Sequence, residues 1–201
     1  IEPWDKHITT PALDTVKAVY EISADRDAEI TLRTAVLDGE TEVTSTAQTI
    51  AVTAGNKIKA EFTIHIPNAK LWDTENPHLY TMRAAVLENG TELDTDETRF
   101  GVRTLMLHHS EIVEPGGAFE FIANGVRIMA SGTNWVPMDA YHSRDAQRYA
   151  RALAMADDLG CNIIRCWGGN VYEDHAFFDF CDEHGIMIWQ DFMMACLAYP
   201  I

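Results

Sequence analysis

Three short apolar segments in the last third of the chain run out into clusters of polar and aromatic residues: Asn134-Trp135, Arg165-Cys166-Trp167-Gly168-Gly169 and Trp189-Gln190-Asp191-Phe192. An indole offers a flat apolar face to the C–H side of a pyranose ring, while Asp, Asn and Arg exchange hydrogen bonds with its hydroxyls. Indoles beside such groups are therefore what a sugar site requires. The plainer reading makes Trp135, Trp167 and Trp189 ordinary core residues. Arg165 stands near the end of an otherwise apolar run and needs a carboxylate, with Asp191 the first candidate and Asp139 the second. Such a pair either braces the strand ends internally or offers hydrogen bonds to a ligand. No Ser-His-Asp arrangement, phosphate-binding glycine loop or H-E-x-x-H motif occurs. Glycoside hydrolysis with retention uses two carboxyl groups about 5 Å apart. Asp191 is the one credible carboxylate in the three clusters, so they supply recognition without the whole chemistry.

The elements that must position these clusters alternate. Two stretches with helical spacing separate the three apolar runs, giving strand, helix, strand, helix, strand, the order of a parallel α/β sheet whose ligand sites lie at the carboxyl ends of the strands. A helix is predicted from about Arg144 to Leu159, with Ser143 as N-cap, Asp145 at the positive end and Gly160 as the stop. Ala146, Tyr149, Ala150, Leu153, Ala156 and Leu159 form its inner face. In the second helix Glu173 and Asp174 occupy the positive end, Phe177, Phe178 and Cys181 face inward, and Gly185 closes. Ahead of these, Asn124-Gly125 marks a type I′ hairpin turn between Ala118–Ile122 and Asn124–Met129.

The first half reads differently. From Thr15 to about Arg103 apolar and polar residues alternate with period two, most regularly over Lys57–Ile66, with further faces at Val16, Ala18, Tyr20 and Ile22, at Ile30, Leu32 and Val36, and at Tyr80, Met82, Ala84 and Val86. Asp38-Gly39, Ala54-Gly55-Asn56 and Asn89-Gly90 punctuate these runs as turns. About seven short antiparallel strands in roughly a hundred residues is the size of an immunoglobulin-like sandwich. Little chemistry belongs to this half. His65 lies on a polar face, adjacent His108 and His109 point to opposite sides of a strand, and no metal site is expected.

Composition narrows the partners. The formal net charge of -16 disfavours nucleic acid and anionic membranes, which both select clustered Lys and Arg. No run of about eighteen apolar residues occurs, so no membrane-spanning helix is expected. The chain opens on Ile1-Glu2-Pro3 without an initiator Met or a signal-peptide pattern, so the true amino terminus is expected to be missing. Cys161, Cys166, Cys181 and Cys196 show no C-x-x-C spacing and read as reduced thiols, which leans toward a cytoplasmic protein.

Two segments carry a family resemblance. Leu71-Trp72, Glu75-Asn76-Pro77-His78-Leu79-Tyr80 and Thr98-Arg99-Phe100-Gly101-Val102-Arg103-Thr104 resemble the end of the immunoglobulin-like domain of glycoside hydrolase family 2. Asn124 to Pro200 resembles the start of that family's catalytic barrel. Within the family, Asn134-Trp135-Val136-Pro137, Arg165-Cys166-Trp167-Gly168-Gly169 and Trp189-Gln190-Asp191-Phe192-Met193 are similar to the β-mannosidase branch. The resemblance implies an immunoglobulin-like β-sandwich over 1–104, then the first three βα units of an incomplete (β/α)8 barrel over 105–201. It implies part of a retaining exo-β-mannosidase that removes terminal non-reducing β-D-mannose with no cofactor or metal. By similarity Asp191 binds mannose hydroxyls, Trp167 lines the subsite, Arg165 holds the carboxylates, and Asn134 and Trp135 shape the barrel mouth. The acid/base and nucleophile glutamates are expected beyond Ile201, so this piece alone is expected to be inactive. Three barrel strands of eight cannot close, so its α/β part is expected to be partly disordered, self-associated, or found only with the rest of its own longer chain. The competing expectations are a non-catalytic glycan- or protein-binding module and a related exo-glycosidase acting on β-glucosamine or β-galactose.

Overall fold

The computed structural model describes residues 2–110, 117–196 and 198. Two compact units emerge, one of residues 1–72 and 78–104, the other of residues 73–77 and 105–201.

The first unit is a two-sheet β-structure. Strands β1 (Glu2–Ala12), β2 (Thr15–Ser23), β3 (Ala28–Asp38), β4 (Thr41–Val52), β5 (Lys57–His65), β6 (Tyr80–Glu88) and β7 (Thr91–Phe100) form one sheet in the order β1-β2-β5 and another in the order β4-β3-β6-β7, every pairing antiparallel. Period-two alternation sends Val16, Ala18, Tyr20 and Ile22 of β2, Ile30, Leu32 and Val36 of β3, and Met82, Ala84 and Val86 of β6 into one shared core. The opposite faces stay polar, which explains the acidic run of β7 as the wet side of a hairpin. β1 lay outside the alternating region read from the sequence and still adds an edge to β2. The Trp72 indole is fully buried, its N–H backbone group donates to the Val102 carbonyl at 2.9 Å, and the Arg103 guanidinium lies 4.3 Å from the ring centroid. The tryptophan thus pins the connection between β5 and β6 against the end of the unit.

The second unit holds two small sheets and two α-helices. β8 (Leu105–His109), β9 (Phe119–Ala123) and β10 (Val126–Ile128) are antiparallel in the order β10-β9-β8. Asn124 and Gly125, at φ 51° and 79°, make the left-handed two-residue turn expected of them. β11 (Gly132–Trp135), β12 (Ile163–Cys166) and β13 (Met187–Gln190) lie side by side and parallel, with α1 (Tyr149–Asp158) and α2 (His175–Glu183) in the connections. The coarse expectation of a β-sandwich followed by an α/β part holds. Among the described residues, however, the third strand is followed by no helix, so two strand-helix units and a third strand are present.

The helix before β12 departs from its sequence pattern. Residues His142–Gln147 form a 3-10 turn, α1 begins only at Tyr149, and Ser143 does not cap it. Tyr149, Leu153 and Ala156 are buried, whereas Ala150 and Leu159 are exposed and the Ala146 side chain lies outside the described residues. The later start narrows the buried stripe to the i, i+4, i+7 positions. α2 matches its pattern more closely, with the Asp174 carboxylate accepting from the Ala176 N–H at 3.1 Å and Phe177 and Cys181 buried.

Candidate functional site

Strand register decides which side chains meet. Asn134, Arg165 and Trp189 are aligned across β11, β12 and β13, and Trp135, Cys166 and Gln190 form the next row. In parallel strands, aligned residues share a face and successive residues alternate. One row therefore serves the exposed face and the next the helix side.

Arg165 is the centre of the exposed row. Its Nη2 donates to Asp191 Oδ2 at 2.6 Å and its Nε to Oδ1 at 3.4 Å, a two-point grip on a partly buried carboxylate just past the end of β13. Nη1 reaches Asn134 Oδ1 at 3.4 Å, and the guanidinium carbon lies 5.7 Å from the Trp189 ring centroid. Asp191 Oδ2 also accepts from the Gly168 N–H at 3.2 Å, and the Asp191 N–H donates to the Cys166 carbonyl. Of the two partners open to Arg165 in the sequence, the structure selects Asp191; Asp139 pairs instead with Arg148 at 3.0 Å. A carboxylate has about four acceptor positions, and three N–H donors converge on this one, which leaves capacity for a ligand hydroxyl.

Trp167 stands beyond the end of β12 in a turn that only small residues permit. A Cβ on Gly169 would fall 2.3 Å from the Trp167 ring, and one on Gly168 would fall 2.7 Å from the Phe192 carbonyl oxygen. The indole lies across the Gly169 backbone and remains partly exposed.

The three indoles do not form one wall. Trp135 belongs to the helix-side row, is 3% exposed, and packs against Phe177 at 5.0 Å between ring centroids. Its placement corrects the expectation that it shapes the mouth beside Asn134: one step along a strand reverses the side-chain direction. Trp189 is on the open face, stacked near Phe119 at 6.0 Å and 29° and beside Phe121 at 6.1 Å. It borders an open apolar groove of about 330 Å³ that includes Leu105, Leu107, Phe121, Ile163 and Met187.

Glu173 has a partner that its place at the start of the second helix does not announce. Asp174 caps α2, while Glu173 Oε1 accepts the Trp135 indole N–H at 2.8 Å. Asp174 also accepts from the Tyr149 hydroxyl at 2.7 Å, a bond that, with burial, pushes that phenol up to about 12. Burial pushes the Cys166 thiol up to about 11, with the Glu173 and Asp191 charges adding to it. Among the described residues no group of three or more His, Cys, Asp or Glu side chains is placed to hold a metal ion.

The chain as a whole is similar to known proteins. A family model described as Glycosyl hydrolases family 2 matches residues 4–103. β-Mannosidase B of Thermothelomyces thermophilus is 36% identical over 186 residues, which are 88% of this chain and 21% of that protein. The β-mannosidase of Bos taurus is 47% identical over 87 residues, 43% of this chain and 10% of that protein. The crystal structure of the β-D-mannosidase from Dictyoglomus thermophilum superposes with a TM-score of 0.89 at 29% identity, covering 100% of this chain and 25% of that one. The chain belongs to glycosyl hydrolase family 2. Within it the likeness is to the β-mannosidase branch, and the chain spans about a fifth of the length of the curated relatives it matches. The match to the family model reaches back to Trp4, well ahead of the Leu71 segment on which the resemblance in the sequence rests.

Proposed function

We propose that this chain supplies one wall of the terminal-sugar subsite of a retaining exo-β-mannosidase. Asp191 accepts hydrogen bonds from mannose hydroxyls through its remaining lone-pair capacity, Arg165 holds that carboxylate, Asn134 borders the site, and Trp167 offers the apolar face of the sugar a surface. Trp135 supports from the helix side. The observation that carries the reading is the Arg165–Asp191 grip, with Asn134 and the Gly168 N–H, at the carboxyl ends of adjacent parallel strands, in a chain whose relatives are named β-mannosidases.

The three parallel strands and their helical connections are the opening part of a (β/α)8 barrel. Its acid/base and nucleophile glutamates belong to the remainder of a longer chain. Met106 and Trp189 line the groove exposed, Phe119 stacks beside Trp189, and Phe192 is exposed as well. The partner that covers them is that remainder, since the match covers only 21% of the Thermothelomyces thermophilus relative.

A panel of aryl β-glycosides given to the full-length enzyme tests the reading. Turnover of the β-mannoside with retention of configuration, and none by the 201-residue chain alone, is expected. Preference for β-glucosaminide or β-galactoside redirects the substrate, and sugar binding without any turnover by the full-length protein replaces hydrolase with binding module.

A further inference from the structure

The segment carrying Trp167 is held from both sides, and one of the holds runs through Trp135 rather than through Asp191. On one side the Gly168 N–H donates to Asp191, and the Gly168 carbonyl accepts from the Ala195 N–H at 3.1 Å. On the other, everything converges on Trp135 at the end of β11. Its indole N–H donates to Glu173, its carbonyl accepts the Asn170 side-chain N–H at 3.3 Å, and the Trp167 backbone N–H approaches the same carbonyl at 3.5 Å. The segment from Trp167 to Glu173 therefore closes on a single residue of the neighbouring strand, engaging both its carbonyl and its indole N–H.

The chemistry of the clasp is specific. The donor is an indole N–H with no second proton to offer, and the acceptor is a carboxylate, which makes a charge-assisted bond. The indole itself cannot move, because it is wedged against Phe177 in the core that also holds Tyr149 and Leu153. A fixed donor and a carboxylate at the far end of the segment act together as a pin. Asp174 extends it by taking the Tyr149 hydroxyl and the N-terminus of α2.

We infer that Glu173 is a positioning residue for the sugar site: through Trp135, and together with Asn170, it fixes the segment that presents Trp167. The role rests on the proposed subsite for its consequence, though not for its mechanics. Loosening the pin leaves the reacting centre intact and blurs the position of the sugar platform, so binding weakens while the chemical step is preserved. A loss of folding would act oppositely, lowering the active fraction and hence kcat without moving KM.

The test compares Glu173→Ala with Glu173→Gln in the full-length enzyme. Gln keeps an oxygen that accepts the indole N–H; Ala does not. For Glu173→Ala, KM for an aryl β-mannoside is expected to rise about tenfold with kcat within about twofold, the scale of one lost charge-assisted hydrogen bond. Glu173→Gln is expected to restore most of the loss. Hydrogen exchange by mass spectrometry supplies a readout free of the substrate: peptides covering residues 167–174 should exchange faster in Glu173→Ala and near normally in Glu173→Gln, with β12 unchanged. Equal damage from both substitutions, a fall in kcat at constant KM, or unchanged exchange of 167–174 in Glu173→Ala each overturns the inference. If the wild-type enzyme does not hydrolyse β-mannosides, the substrate reading fails and the exchange comparison alone decides the pin.

Discussion

Replacing Asp191 by Asn and by Ala probes the centre of the site. The carboxylate takes two bonds from Arg165 and one from the Gly168 N–H, and the Arg165 and Asp191 side chains are 39% and 22% exposed. A fully exposed ion pair contributes about 0–1 kcal/mol, whereas breaking a buried one costs about 3–5 kcal/mol because a charge is stranded. This pair lies between those limits, and its two-point geometry with a third donor favours the upper part of the gap, giving about 2 kcal/mol for Asp191→Ala. In kcat/KM for an aryl β-mannoside, where the carboxylate also meets the substrate, the loss should be at least about 30-fold. Asp191→Asn keeps one acceptor oxygen and loses the charge, so it should fall between wild type and Ala. The assay is steady-state kinetics on the full-length enzyme, alongside a double-mutant cycle with Arg165→Met. Near wild-type kcat/KM in Asp191→Ala, or a coupling energy below about 0.5 kcal/mol, refutes the reasoning, since it would mean that the grip neither orders the site nor touches the sugar.

Further outcomes can be checked on the 201-residue chain itself. With the groove beside Trp189 and the exposed Met106, Phe119 and Phe192 uncovered, the chain should self-associate, and sedimentation velocity showing a monomer at micromolar concentrations would contradict this. Burial pushes the Cys181 thiol up to about 12 and the Cys166 thiol up to about 11, whereas Cys196 is exposed. Iodoacetamide at pH 8 should therefore label Cys196 in the native chain and reach Cys166 and Cys181 only after denaturation, as peptide mapping would reveal. In the first unit, hydrogen bonds from Lys70, Arg33 and Arg26 hold the Asp38, Glu42 and Glu88 carboxyls below their usual values of 3.8 and 4.5. Groups lowered in the folded state stabilise it above the unfolded values and cease to do so as pH falls through the folded ones. Thermal scans should thus show a melting temperature that declines as pH drops below about 4.5, with a shallower decline in Asp38→Asn. An identical acid limb in that variant would count against the Asp38 contribution.

Much of the architecture was legible because it depends on local pattern. Alternation in β2, β3, β5 and β6 identifies which residues enter the sandwich core, since a half-buried strand admits no other arrangement. Asn124-Gly125 specifies its turn through backbone sterics alone. The start of α1 was not legible: Ser143 and Asp145 look like a helix opening, yet the chain makes a 3-10 turn there and Leu159 ends in solvent. Propensity is a weak competitor against the path the connection must take to bring Leu153 onto the sheet.

The sequence by itself determined the residue types of the site, the α/β order that carries them to strand ends, and a short choice of partners for Arg165. Tertiary structure decided which of those residues meet. Parallel register places Arg165 beside Asn134 and Trp189 and sends Trp135 to the helices, a distinction of one residue in which adjacent side chains point to opposite faces. It also brought Glu173 to Trp135 and Asp191 to Arg165 across separations of 38 and 26 residues. Hydrogen bonds of that span depend on how strands are laid against one another, and no local pattern in the chain encodes the alignment.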